Sequence, residues 1–274
     1  MREPLPADIA AAFERAKDQL ALSFGRELYL SETSSTNDVA AHLAISGAPE
    51  GTTVISGAQK TGRGRQGRSW YSPPEAGLYV SILCRSCPMS RMMLLTLIGG
   101  VAVAEGIRRS TGLPVLLKWP NDVVVEGSVP MYSNRRWRKV AGVLTEASSH
   151  GRSINYVILG FGINLRAMAF PESLAKTATS VEIELGRSVD RSAVLVEVLT
   201  VMSQCYADLL EGEIDMIIDR WRRLSPSCLG ARVKFNSSNG CREGVTEGVD
   251  QQGALLVRVD SLIEQVTSGE IKWL

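Results

Sequence analysis

Residues 59–70 read Gln59-Lys60-Thr61-Gly62-Arg63-Gly64-Arg65-Gln66-Gly67-Arg68-Ser69-Trp70, with four cations (Lys60, Arg63, Arg65, Arg68) and three glycines (Gly62, Gly64, Gly67). Glycine lets the backbone take positive φ and bring its N–H groups close to a ligand. Arginine supplies planar donor forks that match phosphate or carboxylate oxygens. Trp70 adds a flat apolar face, and Pro73-Pro74 just beyond prevents a helix from starting there. The stretch therefore reads as a loop suited to holding an anion. A solvated charged turn would explain the cations but not the glycines and the tryptophan. A disordered Arg-Gly nucleic-acid binder is a rival reading, set against a net charge of +1 and strand-like sequence on both sides. Gly57 to Gly62 also opens like a P-loop, yet Arg63 and Gly64 stand where Lys and Ser/Thr are required.

Working outward, Thr52 to Ala58 has the composition of a buried strand entering the loop, and Gly77 to Cys84 that of a strand leaving it. The loop is expected to hang from a sheet at both ends. Arg91 to Ser110 follows as a helix, with Leu94, Leu97, Ile98, Val101 and Ile107 spaced for burial. Upstream, Ala7 to Phe24 carries Ile9, Phe13, Ala16 and Leu20 at helical spacing behind Asp8, and Glu27 to Leu30 is strand-like. Ser34-Ser35-Thr36-Asn37-Asp38 then opens a helix that Gly47 ends. Ser35, Thr36 or Asn37 would cap that helix, and the same geometry would present hydroxyls, an amide and N–H groups to a polar ligand.

Val115 to Val125 is strand-like but contains Lys118-Trp119-Pro120-Asn121-Asp122. Proline inside such a run marks a bulge or an edge, and the polar residues beside it are poor core residues; an ordinary turn is the alternative. Lys139-Val140-Ala141-Gly142-Val143-Leu144-Thr145-Glu146 and Asn155 to Leu165 read as paired strands around a Ser148 to Ser153 turn. The second contains Gly160-Phe161-Gly162-Ile163-Asn164, where glycine in a strand marks a bulge or the close approach of another group. Glu126 to Arg138, with Arg135, Arg136, Trp137 and Arg138, is expected to be an exposed excursion. Ser192 to Glu211 is an amphipathic helix, and Asp215 to Leu224 continues helically until Pro226. From Leu229 the pattern changes to short strands: Arg232 to Phe235, Gly240 to Val249, Ala254 to Val259 and Ile263 to Ile271. The expected division is a large domain over 1–227 and a small barrel-like domain over 228–274.

A length of 274 residues and 45% hydrophobic content suit one large domain with a small one. The near-neutral charge argues against a dedicated DNA binder. The most apolar run, Met92 to Ala104, is broken by Gly99-Gly100 and stopped by Glu105, too short for a membrane span. The first residues lack the apolar core of a signal peptide, so a cytoplasmic protein is expected. Five cysteines without secretory context predict free thiols, and the lone Cys84-x-x-Cys87 with two histidines, His42 and His150, makes a poor zinc set. Ser/His/Asp catalysis also lacks its parts.

Taken together the motifs resemble the biotin protein ligase family. Ser35-Thr36-Asn37, Gln59 with the Gly62 to Arg68 loop and Trp70, Gly77-Leu78-Tyr79, Lys118 to Asp122, Lys139 to Gly142, and Gly160 to Asn164 carry the resemblance. Gly248-Val249-Asp250 and Gly253-Ala254-Leu255-Leu256 extend it into the small domain. The resemblance implies an α+β fold: a mixed sheet flanked by helices, related to class II aminoacyl-tRNA synthetases, with a C-terminal SH3-like barrel. It also implies a two-step reaction. Biotin and MgATP give biotinyl-5′-AMP and pyrophosphate, and a lysine of a biotin carboxyl carrier protein, that of acetyl-CoA carboxylase or a related carboxylase, then takes the biotinyl group.

By the same resemblance, Ser35, Thr36, Asn37, Gln59, Gly62, Arg63, Gly64, Lys139 and Gly142 would surround biotin. Arg63, Arg65, Arg68, Trp70, Lys118, Asn121, Lys139 and Asn164 would surround ATP and the adenylate, and Arg63, Lys118, Asp122 and Lys139 would be catalytic. A carboxylate approaching an anionic phosphate needs cations that offset the charge of the transition state, and these residues include them. No protein side chain is assigned to a metal; Mg2+ is expected to come with ATP. Asp122 would orient Lys139 or the incoming amine, and the loop would order over bound ligand.

Two features depart from the family pattern. The 126–138 excursion is longer than the usual turn, and the roughly thirty residues before Ser34 are too few for a winged DNA-binding domain. A ligase without operator binding is therefore expected, with no membrane partner, and exposed strand edges near Lys139 to Leu165 would allow a homodimer. A lipoate ligase, a nucleic-acid module and a sensor of biotinyl-AMP are the alternatives, the first opposed by Ser35-Thr36-Asn37 and the full arginine loop.

Overall fold

The computed structural model describes residues 3–20, 26–126, 137–150, 153–237, 240–269 and 271–274, and two sheets organise them. The larger is built from β1 (Arg26–Leu30), β2 (Thr52–Ser56), β3 (Gly77–Cys84), β4 (Leu116–Lys118), β5 (Asp122–Glu126), β6 (Trp137–His150) and β7 (Ser153–Asn164). Their order is β1-β2-β3-β7-β6-β5-β4. β1 runs parallel to β2 and the other neighbouring pairs are antiparallel, which makes the expected mixed sheet. β5 pairs with β6 only as far as Gly142, so among the described residues β6 from Leu144 onward pairs with β7 alone.

The helices are α1 (Ala7–Arg15), α2 (Lys17–Leu20), α3 (Thr36–Ile45), α4 (Met92–Thr111), α5 (Glu172–Ala175), α6 (Val181–Leu185), α7 (Arg191–Glu211) and α8 (Ile214–Leu224). Helices α4 and α7 cover one face of the sheet, and Leu94, Leu97, Ile98, Val101, Leu195, Val198 and Leu199 form a continuous core with Val80, Ile82, Val143 and Leu159. Each such aliphatic side chain contributes about 1.5–3 kcal/mol on burial, against about 0–1 kcal/mol for an exposed ion pair, so this side dominates the stability. Among the described residues α7 is the helix long and apolar enough to cross a membrane. Here its apolar side lies in that core. On the other face α3 sets Ala40 and Ala44 against Val54, Leu83 and Ile158. This leaves the middle of that face, beyond the start of α3, to the 59–70 loop.

The smaller sheet contains β8 (Leu229–Ser237), β9 (Gly240–Val249), β10 (Leu255–Val259), β11 (Leu262–Val266) and β12 (Ile271–Trp273), antiparallel throughout in the order β11-β10-β9-β8-β12. Ile263 to Ile271 thus makes two strands where one was expected. Gly269, at φ 105°, turns the chain, and β12 returns to pair with β8. Val233, Phe235, Val249 and Leu255 join the same core as α4 and α7. Trp119 is buried in the seam, and its indole N–H donates to the Gly253 carbonyl at 3.0 Å.

Three expectations meet the limits of the described residues. The excursion reduces there to Glu126 and to Trp137 and Arg138, because 127–136 lie outside them. The centre of the Ser148 to Ser153 turn and the end of the first helix, at 151–152 and 21–25, also lie outside.

Candidate active site

The register of the large sheet sets the floor of the site. Ser81, Gly160 and Leu144 stand in one cross-strand row, and Tyr79, Gly162, Gly142 and Asp122 in the next but one. Glycine in the middle of each row opens a hole that another group fills. A Cβ on Gly160 would lie 2.2 Å from Asn37 Oδ1, and one on Gly162 would lie 2.3 Å from Trp70 Nε1. On Gly142 it would meet Lys139 Nζ at 2.9 Å. These are the close approaches that glycine in a strand signals.

At one end of the site the start of α3 presents uncharged hydrogen-bonding side chains beside the ion-paired Arg63. The buried Ser81 hydroxyl donates to Asn37 Oδ1 at 2.6 Å and lies 2.7 Å from Thr36 Oγ1. The Thr36 backbone N–H donates to Gln59 Oε1 at 2.8 Å, and Gln59 Nε2 donates to Ser72 Oγ at 2.9 Å. Gln59 therefore takes up one of the free N–H donors at the helix start. Ser35 occupies the N-cap position, but its side chain makes no capping bond.

The opposite end is charged. Lys139 Nζ lies 2.5 Å from Asp122 Oδ1 and 5.2 Å from the centroid of the Trp70 ring. Asn121 Nδ2 donates to the Val143 carbonyl at 2.8 Å, and Arg65 Nη1 donates to Asn121 Oδ1 at 3.4 Å. Burial holds the Arg65 guanidinium below its ordinary pKa, partly offset by the charge of Asp122. Trp70 Nε1 is buried without a hydrogen-bond partner among the described residues. Such a donor carries a desolvation penalty of about 1–3 kcal/mol until an acceptor reaches it.

Eleven of the residues assigned from the motifs line one pocket: Ser35, Thr36, Asn37, Gln59, Arg63, Gly64, Arg65, Trp70, Asn121, Lys139 and Gly142. Five do not line it. Asp122 stands behind Lys139 as its ion-pair partner. Gly62 lies beneath the loop, where a Cβ would clash with the Trp70 carbonyl at 2.6 Å. Asn164 is buried and donates from Nδ2 to the Thr179 carbonyl at 3.0 Å. Lys118 sits over the Trp273 ring, 5.8 Å from its centroid, and Arg68 follows the short turn Arg65–Gly67. Val143, Leu144, Gly160, Phe161 and Gly162 also line the pocket, without having been assigned a role. Two carboxylates were likewise not assigned: Asp38, 2.5 Å from Arg63 Nη1, and Glu146, whose Oε2 accepts from Arg63 Nη2 at 2.7 Å.

Comparison with known proteins now bears on this site. Residues 29–164 match the Biotin/lipoate A/B protein ligase family, and residues 228–272 match the Biotin protein ligase C terminal domain. The Bifunctional ligase/repressor BirA of Bacillus subtilis is 32% identical over 248 residues, covering 89% of this chain and 73% of that protein. The Biotin--[acetyl-CoA-carboxylase] ligase of Paracoccus denitrificans is 28% identical, covering 88% of this chain and 98% of that one. Among solved structures, the biotin protein ligase from Aquifex aeolicus in complex with biotin and ATP superimposes with a TM-score of 0.77 at 29% identity, over 92% of this chain and 99% of that chain. With the sequence, the two family models and the superposition in agreement, the chain belongs to the biotin protein ligase family.

Proposed function

We propose that this enzyme activates biotin with MgATP to biotinyl-5′-AMP and pyrophosphate, then transfers the biotinyl group to a lysine of a carboxylase's carrier domain. One observation carries the reading: a single pocket has the uncharged donors and acceptors of Thr36, Asn37 and Gln59 at one end, beside an Arg63 whose charge is balanced by Asp38 and Glu146, and Lys139, Arg65 and Trp70 at the other. A substrate with an uncharged polar ring and a carboxylate tail fits that polarity. The related ligases named above and the Aquifex complex with biotin and ATP support it.

In this reading Thr36, Asn37 and Gln59 face the ureido ring, and the acid reaches toward Lys139. A carboxylate oxygen attacks the α-phosphorus while the bond to pyrophosphate breaks. Lys139 and Arg65 offset the charge that gathers on the phosphoryl oxygens, in a site where burial strengthens each interaction. Asp122 holds Lys139 in place. In the second step an uncharged carrier lysine attacks the mixed anhydride and AMP leaves. Mg2+ comes with the triphosphate, since Asp38, Asp122 and Glu146 at the rim are each paired with a cation. The 59–70 loop closes over the adenylate and keeps water away.

A cytoplasmic setting is part of this proposal. A second copy would dock along the edge of β6 from Leu144, which light scattering tests. For the chemistry itself, pyrophosphate release from ATP is measured with biotin, lipoate or octanoate as the acid. Release with biotin is expected. Release with lipoate or octanoate only would move the enzyme to the lipoate side of the family.

A further inference from the structure

Arg63 belongs to the arginine loop, but its guanidinium faces the α3 end of the pocket. Nη1 lies 2.5 Å from Asp38 Oδ1, in the first turn of α3, and Nη2 donates to Glu146 Oε2, on β6, at 2.7 Å. The same Glu146 oxygen accepts from Asn37 Nδ2 at 2.5 Å. One carboxylate thus fixes both a wall of the pocket and the loop above it. The three charged side chains are 36–40% exposed, sheltered enough for charge-assisted bonds to hold their geometry.

Arg65 stands at the other end, beside Asn121 and near Asp122. The loop's two arginines therefore have different surroundings, one between two carboxylates and the other in a cationic corner. Arg63 is also coupled to Trp70. The turn is closed by the Trp70 N–H donating to the Gly62 carbonyl at 2.8 Å and the Gly64 N–H donating to the Arg68 carbonyl at 2.7 Å. Fixing Arg63 fixes the indole that Lys139 lies over.

We infer that Glu146, assisted by Asp38, is a positioning residue that clasps Arg63 and seats the loop over the acid substrate, so that Arg63 serves loop closure rather than phosphate binding. The inference rests on the biotin and ATP reading of the pocket. It reassigns Arg63 within that reading and leaves the phosphates to Arg65 and Lys139.

The test is steady-state pyrophosphate release by the full-length protein, with melting temperatures as a control. Glu146→Gln keeps the shape and removes the charge. It is expected to raise KM for biotin about tenfold, to leave KM for ATP within about twofold, and to leave the melting temperature nearly unchanged. Glu146→Asp should recover part of the loss. In an Arg63→Gln background, Glu146→Gln should add little, because the clasp is already broken. Multiplying losses, or a rise in KM for ATP as large as that for biotin, would overturn the clasp. If Glu146→Gln fails to fold, Asp38→Asn, at the half-buried partner in the first turn of α3, decides by the same two KM values. Failure of the wild-type protein to release pyrophosphate with biotin would instead reject the reading of the pocket.

Discussion

Lys139 Nζ lies 2.5 Å from Asp122 Oδ1 and rests over the Trp70 ring, so one cation is held from two sides, by a carboxylate and by an aromatic face. A lysine has a long flexible stem, and without such holders its ammonium would sample many positions. The pair sits at adjoining strands, because Asp122 is registered opposite Gly142 and Lys139 opposite Val124. Gly142 leaves the room through which the lysine reaches the pocket.

From this pairing, Lys139→Met is expected to slow biotin-dependent pyrophosphate release by about 10²–10³-fold, the usual loss when a transition-state charge partner is removed. Asp122→Asn leaves the ammonium in place but unfixed, and a smaller drop of about tenfold in kcat is expected. Single-turnover kinetics separates the two. Unchanged turnover in Asp122→Asn would mean that the carboxylate does not position the lysine.

The strand glycines make a graded prediction. Alanine at Gly160 or Gly162 places a Cβ 2.2 Å from Asn37 Oδ1 or 2.3 Å from Trp70 Nε1, both held by their surroundings. Alanine at Gly142 meets Lys139 Nζ at 2.9 Å, a longer approach and to the far end of a long side chain. Gly160→Ala and Gly162→Ala should therefore lose more activity than Gly142→Ala, by about tenfold or more. Equal losses across the three, measured as kcat/KM for biotin, would contradict the packing described.

Much of this arrangement was legible in the chain because it breaks local rules. Three glycines among arginines, a proline in a strand-like run and paired glycines in another strand are each poor choices for a plain core, and the fold brings most of them to one pocket. Asp38 and Glu146 gave no such signal. A carboxylate in a first helical turn or on a strand resembles a solvated charge until the fold sets Arg63 beside it. Ser81 was a visible hint, a hydroxyl among Leu78, Val80, Ile82 and Leu83, but its partners on α3 lie far away in sequence. For Lys118 and Asn164 the motifs suggested the nucleotide, and their contacts with the Trp273 ring and the Thr179 carbonyl leave that assignment open.

Acid should unfold the protein in part through Glu105. Burial raises this carboxyl, but bonds and charges from Arg220 and Arg109 outweigh it and hold it below its ordinary value of 4.5. A depressed folded pKa contributes stability that is complete above the ordinary value and is lost as pH falls through the folded one. Stability should therefore hold down to about pH 5 and decline below that. Glu105→Gln should lower stability at pH 7 by about 1–3 kcal/mol and give a shallower acid limb. An acid limb as steep as wild type in urea titrations at several pH values would exclude Glu105 as a source.

The thiols should separate by burial. Cys84, Cys87, Cys205 and Cys228 are buried and Cys241 is exposed. Desolvation raises the Cys84 thiol well above its ordinary value, Cys87 to about 11 and Cys205 to about 12. Thiolate is the reactive form, so native protein at pH 8 should label rapidly at Cys241 alone, and all five thiols should react in denaturant. Rapid native labelling of Cys84 or Cys87 would contradict the packing between β3 and α7.

The most direct measurement is the intact mass of an isolated carrier domain after incubation with this protein, biotin and MgATP. The account predicts one biotinyl increment on a single lysine, absent when ATP is omitted and nearly absent with Lys139→Met. An unmodified carrier, together with no biotin-dependent pyrophosphate release, would contradict it.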